Sequence, residues 1–299
     1  MPYLLFALLV FASTISFASE GDDEIPPQSS FNINYGYDSN KNYDVSMLLD
    51  FEFSNYQRFS LGYSKSKDTL NNAAVRYSLA ASTSAYETVS IDAGVSYMIL
   101  SDALEEYTFA STVNLNLENW LFSITPQLSA MTFFLNSNEE NKFDIYAKGG
   151  ELSAGYYGFD QFYFSANFFR NFFSRKPFFL QAKVLRNLNI DPVVTLLALN
   201  RIIELGSGLQ KQRINLTVGR YFPWGSLDFT WSRMQLFNIA QWLDISELEQ
   251  SDIYVNSYYG AANLPMNKYF SLDILFGFQA SSGNIDDLIF TSAGLNYYW

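Results

Sequence analysis

The sequence predicts an all-β chain: a transmembrane antiparallel up-and-down β-barrel of about sixteen strands, with fourteen as the alternative. Three observations carry that prediction. Apolar side chains alternate with polar or small ones over runs of roughly ten residues, from Phe31 to the last residue. The polar side of these runs is Ser, Gly, Ala, Thr and Asn, whereas a water-facing surface would carry Lys and Glu. Aromatic residues gather at the run ends, as girdles at the two membrane–water interfaces would be written: Tyr35, Tyr37, Tyr43, Phe53, Tyr56, Tyr63, Trp120, Tyr221, Trp224, Tyr269, Tyr297 and Trp299. A soluble sandwich also alternates, but its strands are usually about 5–6 residues long, and many runs here are longer. Inside a bilayer no water reaches a sheet edge, so alternating strands must close on themselves.

The first 18 residues are written as an export signal. Pro2 to Ala12 is an apolar core, and Ser16-Phe17-Ala18 fits a small-x-small cleavage site, although the start carries no Lys or Arg. The core is too short for a membrane anchor helix, so the mature chain is expected to begin near Ser19. Residues 19–29, containing "EGDDEIPPQS", form an acidic, Pro-containing lead-in expected to be flexible. The barrel then occupies 30–299.

The strands follow from the alternation and the turn residues between them. Phe31, Ile33, Tyr35 and Tyr37 alternate with Asn32, Asn34 and Gly36, which gives 30–38. "YDVSMLLDFEF" sets Tyr43, Val45, Met47, Leu49, Phe51 and Phe53 against Asp44, Ser46, Asp50 and Glu52, which gives 43–54. The same reading gives 58–66, 72–81, 88–99 ("TVSIDAGVSYMI"), 106–118 ("YTFASTVNLNLE"), 120–134, 143–157, 162–170, 178–188, 193–204, 211–222, 226–236, 252–262, 268–280 ("YFSLDILFGFQ") and 288–299. With an even count, "SNYQ", "ENW", "FDQ", "FPWG" and "LPMNK" become short turns on the side of the chain termini, and the longest gap, 237–251, falls on the other side. The weakest element is 191–205: Asp191 before Pro192, with Gly206 behind, also marks a helix. If it is a helix, the even count falls to fourteen. "NIAQWLDISELEQS" reads as a short loop helix with Ser246 and Glu249 as a capping box.

Composition excludes several function classes. The formal net charge of −12 opposes nucleic acid as a partner. The chain has no Cys and no His, which removes disulfides, thiolate or imidazole metal sites and the commonest general base. No catalytic residue, metal or cofactor is expected, since no phosphate-cradling loop or nucleophile elbow is present.

The chain ends in "LNYYW". With Trp299 last, Tyr297 two before it and Leu295 two before that, this ending resembles the C-terminal strand signal of Gram-negative bacterial outer-membrane β-barrels, although Phe is the usual last residue there. The resemblance is to the porin-like class, not to a particular family. It implies a bacterial outer-membrane location, and barrel assembly machinery that reads Leu295, Tyr297 and Trp299. Enzymes of that class (the outer-membrane phospholipase, the omptin proteases, the lipid A deacylases and acyltransferases) use a catalytic His, which this chain lacks.

By alternation, the residues expected on the inner wall include Asp44, Asp50, Glu52, Lys65, Arg76, Asp92, Glu118, Asp144, Lys148, Lys183, Arg213, Asp228 and Asp273. Mixed charge with an acidic excess predicts a water-filled pore for small polar solutes with weak cation preference. The alternative is a structural or accessory barrel in a larger envelope or polymer-export complex. In "FFRNFFSRKPFF", Arg170, Arg175 and Lys176 stand among Phe residues near an outer loop, which suits contact with lipopolysaccharide phosphates. The expected partners are therefore outer-membrane lipid and lipopolysaccharide, the assembly machinery, and a further copy of the chain or an envelope protein.

Overall fold

The computed structural model describes residues 29–54, 57–67, 73–86, 88–100, 104–134, 142–159, 161–174, 210–236, 254–281 and 287–299. They form fourteen strands: β1 Ser30–Asp38, β2 Tyr43–Ser54, β3 Gln57–Lys67, β4 Ala73–Tyr86, β5 Val89–Leu100, β6 Leu104–Leu117, β7 Trp120–Phe134, β8 Lys142–Phe159, β9 Phe162–Phe173, β10 Gln210–Phe222, β11 Gly225–Leu236, β12 Tyr254–Pro265, β13 Phe270–Ser281 and β14 Leu288–Tyr298. Each pairs antiparallel with its neighbours in sequence, and β14 pairs with β1, so the sheet is a closed barrel. A twelve-residue strand at about 3.3 Å per residue and a tilt of roughly 40° rises about 30 Å, the thickness of a bilayer core.

The count of sixteen is corrected to fourteen. β9 pairs directly with β10, Phe169 opposite Arg213 and Ala166 opposite Leu216, so the wall closes without the two strands expected at 178–188 and 193–204. Those segments lie outside the described residues, as do residues 1–28 and the two expected loop helices. The longest connection is therefore the one between Phe173 and Gln210, not 237–251. Among the described residues there is no helix.

The seam is built by the ending of the chain. Ser30 lies opposite Tyr298, and the register runs unbroken to Asp38 opposite Phe290. Beyond it, the Ser29 N–H donates to the Trp299 carbonyl at 3.2 Å and the Trp299 N–H returns to the Ser29 carbonyl at 3.1 Å. Outside the wall the ring of Tyr297 packs against Trp299 at 5.7 Å and against Phe270 at 5.0 Å. On the inside, the Asn32 amide donates to Asn296. The last residue is thus fixed by backbone pairing and by an aromatic cluster spanning β13 and β14.

Ser29 and Trp299 share one rim with the connections between β2 and β3, β4 and β5, β6 and β7, β8 and β9, β10 and β11, and β12 and β13, and the other connections share the opposite rim. We call these the terminal rim and the loop rim. At the terminal rim the outward aromatics Trp120, Tyr156, Phe159, Phe222 and Trp224 form ring contacts with one another or with near neighbours, and the Arg220 guanidinium lies over Phe162 and Phe222 at 4.9 and 4.8 Å. Above this girdle the outer face is apolar and bare: Ile124, Leu128, Leu152, Phe229 and Phe276 are each more than half exposed. A soluble fold would bury such side chains, each worth about 1.5–3 kcal/mol. A lipid-facing wall leaves them where they are.

Candidate functional site: the inner wall

The register sorts the expected wall residues into faces. Asp44, opposite Gly36 and Ser66, points inward, and so do Asp50, Glu52, Arg76, Asp92, Arg213, Asp228 and Asp273. Four others do not. Lys65 lies opposite Val45 and Val75, on the same face as Leu61 and Tyr63, so it points outward. Asp144 and Lys148 share the outward parity of Tyr146 and Leu152, with Thr132 and Leu128 opposite them. Glu118 belongs to the two-residue turn between β6 and β7 and has φ 46°, so it stands off the wall. Lys183, Arg175 and Lys176 lie outside the described residues. Arg170 points outward, and Leu295, Tyr297 and Trp299 sit on the outer face beside the seam.

Toward the terminal rim the wall is polar, and its carboxylates are held by neutral donors. Ser60 and Ser30 donate to Asp50. The Asn114 amide donates to Asp92 at 2.8 Å. Asn263 and Asn296 donate to the two oxygens of Asp273 at 2.6 and 2.7 Å. The Tyr163 hydroxyl donates to Asp228. Amides and hydroxyls position a carboxylate without neutralising it, and among the described residues no Lys or Arg pairs with these four. Two of the three inward arginines of the described residues, by contrast, have acidic neighbours, and the third, Arg76, donates to the Met98 sulfur at 3.5 Å. Arg213 Nη2 sits 2.6 Å from Glu151 Oε2, and Arg58 faces Glu52 at 4.0 Å. The wall's uncompensated charge is therefore negative.

Alternation read strand by strand missed Arg58, Glu151 and Glu106 on the inner face. Each was available by strict parity: Arg58 precedes outward Phe59, Glu151 stands between outward Gly150 and Leu152, and Glu106 precedes outward Tyr107. It also missed a tier of inward tyrosines near the terminal rim. Tyr157 and Tyr163 stack at 5.7 Å, and Tyr163 and Tyr221 meet at 4.9 Å. The tier needs bare backbone beneath it. A Cβ on Gly219 would strike the Tyr163 ring and the Asp228 carboxylate, so glycine there lets both lie flat against the wall. Tyr157 and Tyr221 present exposed ring faces beside Asp228.

The inner wall changes character toward the loop rim. Leu100, Leu104, Met131, Phe133 and Ile145 point inward across β5–β8 and are fully buried, and Val255 on β12 is 2% exposed. The expectation of a polar inner face along its whole height is corrected here. Glu106 is buried within this belt and receives the Thr108 hydroxyl at 2.8 Å, while its other oxygen has no partner among the described residues. The outer face of the same stretch carries Glu105 and Asp144. Polarity has inverted: apolar inside, charged outside. That is the arrangement of a wall that has left the bilayer and meets water on its outer surface. The belt is buried on its lumen side there. Phe133→Ala is expected to destabilise the barrel by about 3–5 kcal/mol and to raise single-channel conductance, read from denaturant unfolding and from planar-bilayer recordings of the same preparation.

No protein-family model matches the chain, and no curated protein matches it. Solved structures do. The CymD monoaromatic hydrocarbon channel aligns at 9% identity over 93% of this chain and 89% of its own, with a TM-score of 0.52. OmpT, an outer membrane protein of Vibrio cholerae, aligns at 7% identity over 92% of this chain and 98% of its own, with a TM-score of 0.49. The KdgM porin aligns at 9% identity over 90% and 98%, with a TM-score of 0.44. The fold is that of porin-like outer-membrane β-barrels. What the CymD likeness shares with this chain is the architecture, since 9% identity carries no side-chain correspondence.

Proposed function

We propose that the chain is a passive, cation-preferring diffusion channel of the bacterial outer membrane, taking small polar solutes without chemistry. The observation that carries this reading is the set Asp50, Asp92, Asp228 and Asp273: inward carboxylates held by amides and hydroxyls and left uncompensated. A ring of such charges concentrates cations along the wall. Fourteen strands spaced about 4.8 Å apart and tilted by roughly 40° enclose a cylinder about 28 Å across its backbone. Wall charges then act over a distance near the Debye length of about 10 Å at 0.1 M salt. The terminal rim, with its short turns, faces the periplasm, and the loop rim faces outward. Tyr157, Tyr163 and Tyr221 beside Asp228 suit cations at the periplasmic mouth, where a ring face and a carboxylate attract the same charge.

A second reading has one observation in its favour. The buried apolar belt of Leu100, Leu104, Met131, Phe133 and Ile145 suits a barrel closed toward its loop rim, serving as a structural or accessory component of an envelope complex. Planar-bilayer recording of the purified full chain across a KCl gradient separates the two. Stable openings with a reversal potential on the cation side support the channel. Silence, or openings without ion preference, overturns the cation-channel reading, and silence together with stoichiometric co-purifying protein favours the accessory barrel.

A further inference from the structure

The outer face of β7–β10 carries a groove of about 450 Å³, lined almost wholly by apolar side chains. Its floor is Ala154 and Ala166, opposite each other on β8 and β9. Its walls are Ile124, Leu152, Phe168 and Ile214, all outward by register. Two alanines side by side on a lipid-facing wall leave a trough where the surrounding positions carry large side chains.

On the loop-rim side of this trough, about 10 Å up the wall from Ala166 and about 15 Å up from Ala154, stand two cations. Arg170 is one outward step beyond Phe168, opposite Gly150, and Lys148 is one outward step beyond Gly150 on β8. Cross-strand diagonals of this kind lie about 7–8 Å apart. Gly150 sits between the two and presents no side chain. A Cβ there would run into the Thr125 carbonyl and Pro126 of β7, so the spot stays bare. The Arg170 guanidinium lies 4.9 Å from the ring of Phe172, the residue opposite Lys148, so the long side chain is drawn toward the loop rim and the level of the ammonium. Both residues are exposed, and no carboxylate of the described residues pairs with either. From the girdle at Trp120 to Leu128, opposite Lys148, is eight residues, or about 20 Å of height at roughly 3.3 Å per residue and the usual tilt. The pair therefore sits near the upper edge of an apolar band that is about 25 Å tall in such barrels, where lipid headgroups are.

We propose that Lys148 and Arg170 hold the phosphate of an outer-leaflet glycolipid, with one of its acyl chains lying in the Ala154–Ala166 trough. The argument is one of charge and shape together. Two cations with no carboxylate partner among the described residues select an anion at headgroup depth, arginine offers a fork of donors to phosphate oxygens, and the trough below admits a chain rather than a soluble anion. The reading is independent of whether the lumen conducts. It also differs from the sequence expectation, which grouped Arg170 with Arg175 and Lys176; here the partner cation is Lys148, which alternation had placed inside the barrel.

The test is native mass spectrometry of the full chain released from detergent containing bisphosphorylated lipid A, its dephosphorylated counterpart, or inorganic phosphate. Retention of the bisphosphorylated lipid is expected, with about tenfold or greater loss in Lys148→Gln/Arg170→Gln, since a charge-assisted contact is worth at least that factor. Arg170→Lys should restore part of the retention. Ala154→Leu/Ala166→Leu, which fills the trough and keeps the cations, should also weaken it. Equal retention of the dephosphorylated lipid, or unchanged retention in the charge variant, would show ordinary surrounding lipid and overturn the proposal. Phosphate retained as well as the lipid, and unaffected by the filled trough, would show an anion site with no lipid and overturn it equally. A shift in gel migration between unheated and heated samples checks that each variant is folded.

Discussion

Changing Asp50, Asp92, Asp228 and Asp273 together to Asn abolishes the cation preference of the passage. Each carboxylate is fixed by amide or hydroxyl donors, and Asn keeps the size and one acceptor oxygen, so the wall geometry survives while four negative charges leave. Glu151 and Glu52 stay opposite Arg213 and Arg58 and offset them. The reversal potential in a KCl gradient should move from the cation side to near zero, or past it. The difference from the parent should be largest at low salt, because the Debye length shrinks from about 30 Å at 0.01 M to about 3 Å at 1 M. A variant with unchanged ion preference would mean that the current does not pass these carboxylates. A single change, Arg213→Gln, should act the other way, since it leaves the Glu151 charge uncompensated and strengthens cation preference.

Replacing Tyr297 and Trp299 by Ser removes the folded barrel from the membrane fraction of expressing cells. The two rings belong to one cluster with Phe270, and taking them from lipid forfeits about 3–6 kcal/mol at 1.5–3 kcal/mol per large side chain. That is a large part of the 5–15 kcal/mol by which a folded chain usually exceeds its unfolded state. The seam also loses the side chains that flank the paired backbone of Ser29 and Trp299. Refolding the same variant into lipid vesicles without cellular machinery divides the effect. Failure in both settings assigns the residues to closure of the sheet. Failure only in cells assigns them to recognition by the assembly machinery. Normal barrel yield in cells would contradict both roles.

Much of this architecture can be read directly from the residues. The alternation of Phe31, Ile33, Tyr35 and Tyr37 with Asn32, Asn34 and Gly36 is the pairing pattern of β1 with β14 and β2. The short turns at "SNYQ", "ENW", "FPWG" and "LPMNK" lie on the rim with the termini, and Trp299 ends the closing strand. The errors have a common physical origin. Sorting by polarity assumes that charge faces inward at every height, which holds only while the outer surface meets lipid. Toward the loop rim β7 and β8 leave the lipid, Ile145 and Phe133 turn inward to pack, and Lys148 at the headgroup edge and Asp144 beyond it turn outward. Parity counted from Leu152 would have placed both correctly, and parity counted from Leu61 would have done so for Lys65. The strand count erred because "DPVVTLLALNRIIELGSG" is apolar enough for a strand, and nothing local says that β9 already has its partner in β10. Pairing between residues 48 positions apart, Asn167 with Asn215, is a property of closure rather than of any window of sequence. The tyrosine tier was hidden for a related reason: a Tyr near a strand end reads as a girdle residue until the register shows which way it points.

The central claim, a lipid-facing outer surface with period-two alternation in a closed wall, has a direct measurement. The chain has no Cys, so single cysteines carrying a nitroxide label can be placed one at a time along β13, from Phe270 to Ala280, with the protein in lipid vesicles. Collision rates with oxygen, which concentrates in the bilayer, and with a water-soluble nickel chelate then report the surroundings of each position. The account predicts high oxygen contact at 272, 274, 276 and 278 and the opposite ranking at 271, 273, 275 and 277. A flat profile, a helical period, or water contact at Phe276 would contradict it.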